Sequence, residues 1–472
     1  MTVRRSLALV VLIAVAHGLF FIWYQRPDWY TKWPDQAGYR QLGQVMAATG
    51  KFTRFPDAVP FVPDVLRMPA YPVFVAAIYK VAGTGQLPVA LAQTALFALI
   101  CLLVLAITRR IASERVALGA ALLTALFPPI PYFGALVMTE VWTTFLFALS
   151  IWMALRALQS RRTITFAAAG ALIALTTLSR PVFVLFPIAL AAVGLVVFPI
   201  ADVKPRPSLL QWAALVGAFT IAMMPWSMYN HVTMGRFTPT PPAGGVGRGL
   251  WEGQRQATWS GRLQKELTEI AEATDDRAAL DARIEAVAVR EHTAAAPMLD
   301  YVHQWQDIRR IWTEPTDPHE RASARIAADR EYQRVAIENL RKDSASHLAR
   351  RLSRGVFLLW AGEIPVRYSD IDQLSTRMKS VIWGVQALIC LAALAGFVAL
   401  YRAGRKPEAL LFGSCLLYIT AVHFPLLTEA RQSLPAKPIV LLLATVGVAR
   451  LFERYFPSKR RFMNASISDS HA

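Results

Sequence analysis

Arg4-Arg-Ser-Leu-Ala-Leu-Val-Val-Leu-Ile-Ala-Val-Ala-His-Gly-Leu-Phe-Phe-Ile-Trp-Tyr24 opens the chain with two arginines and an almost unbroken apolar run. A helix needs about 20 apolar residues to cross a bilayer, and flanking arginines hold their end in the cytoplasm. His17 and Gly18 lead into Phe20, Phe21 and Trp23 with no small-residue cleavage site, so the run reads as a retained span. Trp33-Pro-Asp-Gln-Ala-Gly-Tyr39 follows, which puts Asp35 just outside the outer leaflet. A carboxylate there, with Arg67-Met-Pro-Ala-Tyr-Pro72 after it, is placed for chemistry on a membrane-held substrate.

The same pattern runs through all 472 residues. The chain is 55% hydrophobic and 17% charged, against about 25% charged in soluble domains. A formal charge of +18 would suit nucleic acid were it concentrated on one face. Instead it falls in short groups between apolar runs: Arg109, Arg110 and Arg115; Arg156, Arg161 and Arg162; Lys204 and Arg206; Arg402, Arg405 and Lys406; Arg450, Arg454, Lys459, Arg460 and Arg461. That is a topology signal, and it argues against a nucleic-acid partner. Cys101, Cys390 and Cys415 lie inside apolar runs and read as small buried hydrophobes.

Ten spans are predicted, at 6–24, 88–108, 115–133, 139–158, 163–180, 182–200, 209–229, 380–402, 408–425 and 435–452. Residues 71–83 are too short to cross and would invert every basic loop up to Arg206, so they read as an interfacial helix. The expected architecture is an all-α polytopic membrane protein. Its N-terminal module covers 1–229, with an outer loop at 25–87 that holds a helix at 38–49 and a turn-rich stretch at 55–63. A mainly helical outer insert spans 230–379, and its residues 347–362 are amphipathic and suit a return to the membrane surface. C-terminal spans occupy 380–455 and a polar tail 456–472. Both termini then face the cytoplasm.

Several residues break the apolar pattern at outer span ends. Glu140 follows the proline-rich break Phe127-Pro-Pro-Ile-Pro131 at a helix start. An acid there favours the helix dipole by about 0.3–1 kcal/mol, but acids at membrane depth are costly and usually functional. Asp35 can likewise cap the helix it precedes. Arg180 and Arg431 sit where basic residues are disfavoured. Each could anchor at the interface or bind phosphate in the planar, paired geometry of a guanidinium. Arg431 could also pair internally with Glu429. His17 and His423 read as packed histidines, and Asp370-Ile-Asp372 as surface capping near a span start. No histidine pair marks a metal site, although Asp35 and Glu140 could share a divalent cation. Gly244-Gly-Val-Gly-Arg-Gly249 follows prolines and no strand, which argues against a nucleotide loop.

Taken in order, Asp35-Gln-Ala-Gly-Tyr39, Ala47-Ala-Thr-Gly50, Arg67-Met-Pro-Ala-Tyr-Pro-Val-Phe74, Leu178-Ser-Arg-Pro181, Met223-Met-Pro-Trp-Ser-Met-Tyr-Asn230 and Glu429-Ala-Arg-Gln-Ser-Leu-Pro435 resemble bacterial membrane glycosyltransferases related to protein O-mannosyltransferases and lipid A aminoarabinose transferase, which have the GT-C fold. The resemblance implies an inverting hexosyl- or pentosyltransferase in the bacterial inner membrane. Its donor would be a polyprenyl-phosphate-linked sugar, and its acceptor hydroxyl would belong to a lipid, glycan or protein on the periplasmic face.

Asp35 matches the catalytic acid of that family's first outer loop, and Glu140 an acid of the second that orients the acceptor or holds a metal. Arg431, Arg180 and Arg67 are expected at the donor phosphate, and Tyr39, Tyr71, Asn230 and Glu429 at substrate. The chain departs from the pattern at Gln36, where relatives often carry a second acid, and at Tyr229, where they carry arginine. No cofactor is required by this chemistry: one base takes the acceptor's proton and cations hold the leaving phosphate. The alternatives are a flippase for lipid-linked glycans, or a polymerase or ligase using a lipid-linked oligosaccharide. Against a transporter stand the absence of visible repeats and the gathering of ionisable residues at the outer face.

Overall fold

The computed structural model describes residues 3–30, 34–256, 259–313 and 317–455. Every regular element in them is helical. In chain order the helices are α1 (Val3–Gln25), α2 (Pro34–Thr49), α3 (Ala70–Ala82), α4 (Gln86–Arg109), α5 (Glu114–Ala125), α6 (Pro129–Gly134), α7 (Glu140–Ser160), α8 (Thr163–Thr177), α9 (Phe186–Ala192), α10 (Phe198–Ile200) and α11 (Leu209–Met234). The insert contributes α12 (Val246–Arg255), α13 (Gly261–Ala273), α14 (Arg277–Arg290), α15 (Ala296–Thr313), α16 (Pro318–Lys342) and α17 (Ala345–Ala361). The chain then returns through α18 (Thr376–Arg402), α19 (Lys406–His423) and α20 (Lys437–Tyr455).

Seven stretches are long and apolar enough to cross a membrane: Arg5–Asp28, Gln86–Arg109, Glu140–Ser160, Pro181–Ile200, Leu209–Met234, Thr376–Arg402 and Ala430–Tyr455. The protein is therefore a multi-pass membrane protein. The other three expected spans form helices that fall short of this length or apolarity. Residues 115–133 are cut into α5 and α6 because Pro128, Pro129 and Pro131 cannot continue a hydrogen-bonded ladder. Residues 163–180 give the 15-residue α8, which stops before Arg180-Pro181. Residues 408–425 give α19, whose first turn carries Lys406 and Glu408. The stretch at 71–83 is the 13-residue α3, too short to cross; it buries Tyr71, Val75 and Tyr79 and leaves Val81 exposed. The polar tail expected at 456–472 lies outside the described residues.

The basic loops converge at one end of the bundle. Arg405 donates to the Arg110 carbonyl, Arg161 to the Pro205 carbonyl, Lys406 to the Ala201 carbonyl at 2.8 Å, and Arg110 to Gln159 at 2.8 Å. The loop of α2 and α3 and the insert occupy the other end, where α1 finishes and α7 begins.

Without a hydrophobic drive between helices in lipid, close packing depends on small residues. A Cβ on Gly396 would lie 1.9 Å from the Leu443 carbonyl, and one on Gly447 would lie 2.2 Å from that of Ala392. These two glycines let α18 and α20 touch backbone to backbone. The insert is instead built like a soluble domain. Ser260, Asp276, Asp317 and Ser344 accept first-turn N–H groups and start its helices. Its core gathers Trp251, Leu267, Leu280, Ile284, Val302 and Tyr332. The amphipathic stretch at 347–362 is α17, with Leu352 and Phe357 exposed. Arg351 turns inward to donate to the Pro425 carbonyl and ties the insert to the turn after α19.

Gly396→Leu is expected to force α18 and α20 apart and lower stability by about 1–3 kcal/mol, the usual cost of overpacking. Thermal unfolding of the purified protein in detergent measures this.

Candidate active site

Asp35 falls in the first turn of α2, so it is not the residue that caps that helix. Its carboxylate faces two guanidiniums: Arg67 Nη2 at 3.5 Å and Arg431 Nη1 at 3.4 Å. Helical spacing explains the motif around it. Gly38 and Tyr39 share the face of Asp35 at i+3 and i+4. The Arg67 guanidinium lies over the Tyr39 ring at 4.7 Å and so close to Gly38 that a Cβ there would come within 2.4 Å of Nη2. Asp35 supplies charge, Gly38 room and Tyr39 a flat surface. Arg67 is set from behind by Asp64, which accepts the Leu66 and Arg67 N–H groups and pairs with Arg54 at 2.7 Å.

Glu140 begins α7 and is 1% exposed. Arg180 donates to its Oε1 at 2.6 Å and to Thr139 Oγ1 at 3.1 Å, and Arg431 Nη1 lies 3.6 Å from the same Oε1. Arg431 Nε donates to Glu429 at 2.8 Å. Glu429 also joins Gln432 in capping the short helix at 430–436. Asp35, Glu140 and Glu429 thus balance Arg67, Arg180 and Arg431 in one cluster.

The segment before α7 owes its place to three buried glutamines. Gln36 Oε1 accepts from the Val137 N–H at 3.0 Å and from Gln86 at 2.9 Å, Gln86 donates to the Ala135 carbonyl, and Gln93 donates to the carbonyls of Gly134 and Leu136. The departure at Gln36 is therefore structural. Tyr71 donates to Gln93 at 3.2 Å and packs edge-on to Tyr39. It was expected at substrate, but it is fully buried and does not line the cavity. Asn230, also expected at substrate, is fully buried and donates to the Thr238 carbonyl at 2.8 Å, tying down the end of α11.

A cavity of about 250 Å³ brings together Asp35, Tyr39, Arg67, Glu140, Arg180, Glu429 and Arg431, with His423 on its wall. His17, by contrast, is a packed histidine bonded to the Ala125 carbonyl. Burial pushes the Tyr39 hydroxyl up to about 12 against the pull of Arg67, so Tyr39 stays neutral. Among the described residues no group of three or more His, Cys, Asp or Glu side chains is arranged to hold a metal ion. Arg431 stands between Asp35 and Glu140, the pair that could have shared a cation. Asp370 pairs with Arg367 at 2.8 Å and accepts from Tyr24, fastening the segment before α18 to α1, while the Asp372 side chain lies outside the described residues.

A second cavity, of about 320 Å³, shares Asp35, Tyr39, Leu66, Arg67 and Gly244 with the first. Its far wall is Arg248, Arg325, Asp329 and Tyr332 from α12 and α16. The glycine-rich run builds part of this wall: Gly245 has φ +78° and caps α12, and Gly247 leaves no room for a Cβ against the Asp329 carbonyl. Sequence reasoning gave these insert residues no role. They are ordinary charged and aromatic residues on soluble helices, more than 200 positions from Asp35.

Residues 63–229 match the family model described as dolichyl-phosphate-mannose-protein mannosyltransferase. Asp35 and Arg431 lie outside that match. No curated protein sequence matches the chain. In fold it is similar to the archaeal oligosaccharyltransferase AglB from Archaeoglobus fulgidus in complex with an inhibitory peptide and a dolichol-phosphate. That likeness has a TM-score of 0.52 at 13% identity over 97% of this chain and 51% of that one. The apo form of the Archaeoglobus fulgidus oligosaccharyltransferase gives 0.53 at 12% identity over 96% and 51%. ArnT from Cupriavidus metallidurans bound to undecaprenyl phosphate gives 0.40 at 14% identity over 95% and 79%. The chain spans about half the length of the oligosaccharyltransferases. At these identities the likeness is one of fold: the all-helical GT-C type. The chain thus resembles GT-C membrane glycosyltransferases in sequence over 63–229 and in fold over nearly its whole length.

Removing one partner of a buried ion pair strands the other charge, at about 3–5 kcal/mol. Arg180→Leu and Glu140→Leu are each expected to lose that much, and the double variant less than the sum, measured by unfolding in detergent.

Proposed function

We propose that the protein is an inverting glycosyltransferase that moves a sugar from a polyprenyl-phosphate donor to an acceptor hydroxyl at the periplasmic face of the bacterial inner membrane. The observation that carries this is the cavity in which one half-exposed acid, Asp35, meets three arginines, of which Arg180 and Arg431 are held by other carboxylates. The convergence of the basic loops at the opposite end supports the orientation, since basic loops stay in the cytoplasm.

The distances support an assignment of the parts. Charge-assisted N–H···O bonds run about 2.7–2.9 Å. Arg431–Glu429 (2.8 Å) and Arg180–Glu140 (2.6 Å) meet or beat that range, and they fix the guanidiniums. The contacts of Arg67 and Arg431 to Asp35, at 3.5 and 3.4 Å, are long, so the donor phosphate can take over those N–H groups. Asp35 is then released to accept the proton of the acceptor hydroxyl. The acceptor oxygen bonds to the anomeric carbon as the bond from that carbon to the phosphate oxygen breaks. The polyprenyl phosphate leaves with the bonding electrons, its charge held by Arg431, Arg67 and Arg180. Glu140 is too buried to meet the acceptor and serves as the fixed counter-charge of Arg180 and Arg431. Tyr39 and Glu429 line the sugar's place.

Asp35→Asn is expected to fold normally and lose transfer by at least a hundredfold, within the range a positioned base contributes. Mass spectrometry of lipid-linked sugars and envelope glycans in variant cells should show donor accumulating beside an acceptor lacking one residue; full transfer by the variant removes Asp35 from this role. Gly38→Ala should push Arg67 off Tyr39 and cut transfer about tenfold with little loss of stability, read from the same products and from unfolding midpoints.

A further inference from the structure

His423 ends α19, is 5% exposed, and anchors the turn that leads to Glu429 and Arg431. Its carbonyl accepts the Leu426 N–H at 3.1 Å and the Thr428 hydroxyl at 3.2 Å. In the ring, Nδ1 lies 2.8 Å from the Ile419 carbonyl. A carbonyl oxygen can only accept, so this contact puts the ring proton on Nδ1 and leaves Nε2 a bare acceptor. Nε2 makes no hydrogen bond among the described residues, and it is not among the atoms that packing seals off. Its outlet is the wall of the first cavity, which this ring lines. A second ring proton is disfavoured there, since it would add a cation to the space that Arg67, Arg180 and Arg431 already face. Two other neutral groups on that wall are committed on both sides. Ser179 donates to the Leu175 carbonyl and accepts from Trp142. Gln432 donates to the Leu427 carbonyl while its Oε1 accepts the Glu429 N–H.

We propose that His423 Nε2 accepts a hydrogen bond from a hydroxyl of the donor sugar and thereby helps to choose which sugar is transferred. This rests on the glycosyltransferase reading and adds a specificity-determining residue to it. A polyprenyl phosphodiester has no hydrogen to give, so its oxygens suit the arginines and leave Nε2 unmet. A sugar hydroxyl supplies the missing donor. His423 lines the cavity of Arg180 and Glu140 and not the second one, which leads toward the insert, so the hydroxyl lies on the donor's side of Asp35. A sugar that lacks this hydroxyl leaves a largely buried acceptor unpaired, and is disfavoured for that reason.

The test titrates the full-length protein in phosphatidylcholine nanodiscs with undecaprenyl phosphate, and with the same lipid phosphate carrying mannose, glucose or arabinose. At least one conjugate is expected to bind more tightly than the bare lipid phosphate. One monodeoxy analogue of that sugar should then bind about threefold to tenfold more weakly, the loss of one hydrogen bond. His423→Asn keeps an N–H donor near the place of Nδ1 and removes the acceptor at Nε2. It should keep the wild-type affinity for undecaprenyl phosphate and bind the sugar and its deoxy analogue alike. His423→Gln brings an amide oxygen near the place of Nε2 and should restore part of the discrimination. A purely structural role predicts the reverse, with the Asn variant unchanged and the Gln variant unfolding earlier. A wild type that treats every monodeoxy analogue as it treats the parent, or gains nothing from any sugar, overturns the role of His423, as does an Asn variant that still discriminates. A wild type that ignores undecaprenyl phosphate and all three conjugates removes the lipid donor itself, and His423's role with it.

Discussion

The buried charge of Glu140 is the constraint around which the rest of the site is arranged. A carboxylate at 1% exposure must be compensated, or its desolvation costs several kcal/mol. Arg180 supplies the close partner and Arg431 the second. Because α7 begins at Glu140, the acid also meets the positive end of a helix dipole. That gives the position a reason beyond pairing. The glutamine clamp on 134–137 then becomes necessary. If that segment moved, the carboxylate would leave its arginines, so every hydrogen bond from Gln36, Gln86 and Gln93 serves to hold a charge in place.

Fixing the arginines through Glu140 and Glu429 has a consequence for Asp35. Three acids against three guanidiniums leave no formal charge in the cluster, yet the pairing is uneven. Two carboxylates hold their partners at hydrogen-bond distance, and the third sits at arm's length. The proposed base could not accept a proton while locked into a short salt bridge. Acids held in short pairs with the arginines and an acid that the arginines merely approach are therefore distinct, and they are different residues.

Much of this was legible in the sequence because it broke a pattern. Asp35, Glu140, Arg180 and Arg431 are charges at the ends of apolar runs, and a charge there is visible without knowing the fold. The span count was less legible. Proline breaks and short helices are tolerated inside a bundle where neighbours satisfy the backbone, so hydropathy alone read 115–133 as one crossing. That Tyr71 and Asn230 do not line the cavity was hidden for a related reason: a polar side chain beside a motif reads the same whether it faces a cavity or its neighbours in the fold. The glutamine clamp left no trace, since neutral amides disturb neither charge nor hydropathy. Arg325 and Tyr332 were hidden among the many charged and aromatic residues of the insert, and only folding brings them opposite Asp35.

Gln36 shows why one acid in the loop suffices. Its Oε1 accepts two N–H donors, which a carboxylate could also do, but its position is 1% exposed and within one turn of Asp35. A glutamate there would add a fourth negative charge, itself buried, to a cluster whose three arginines are already matched. It would then draw Arg67 or Arg431 away from Asp35, or take up a proton itself. The amide keeps the acceptor geometry at no charge. The arginines stay turned toward the cavity, and Asp35 remains the loop's one carboxylate in it.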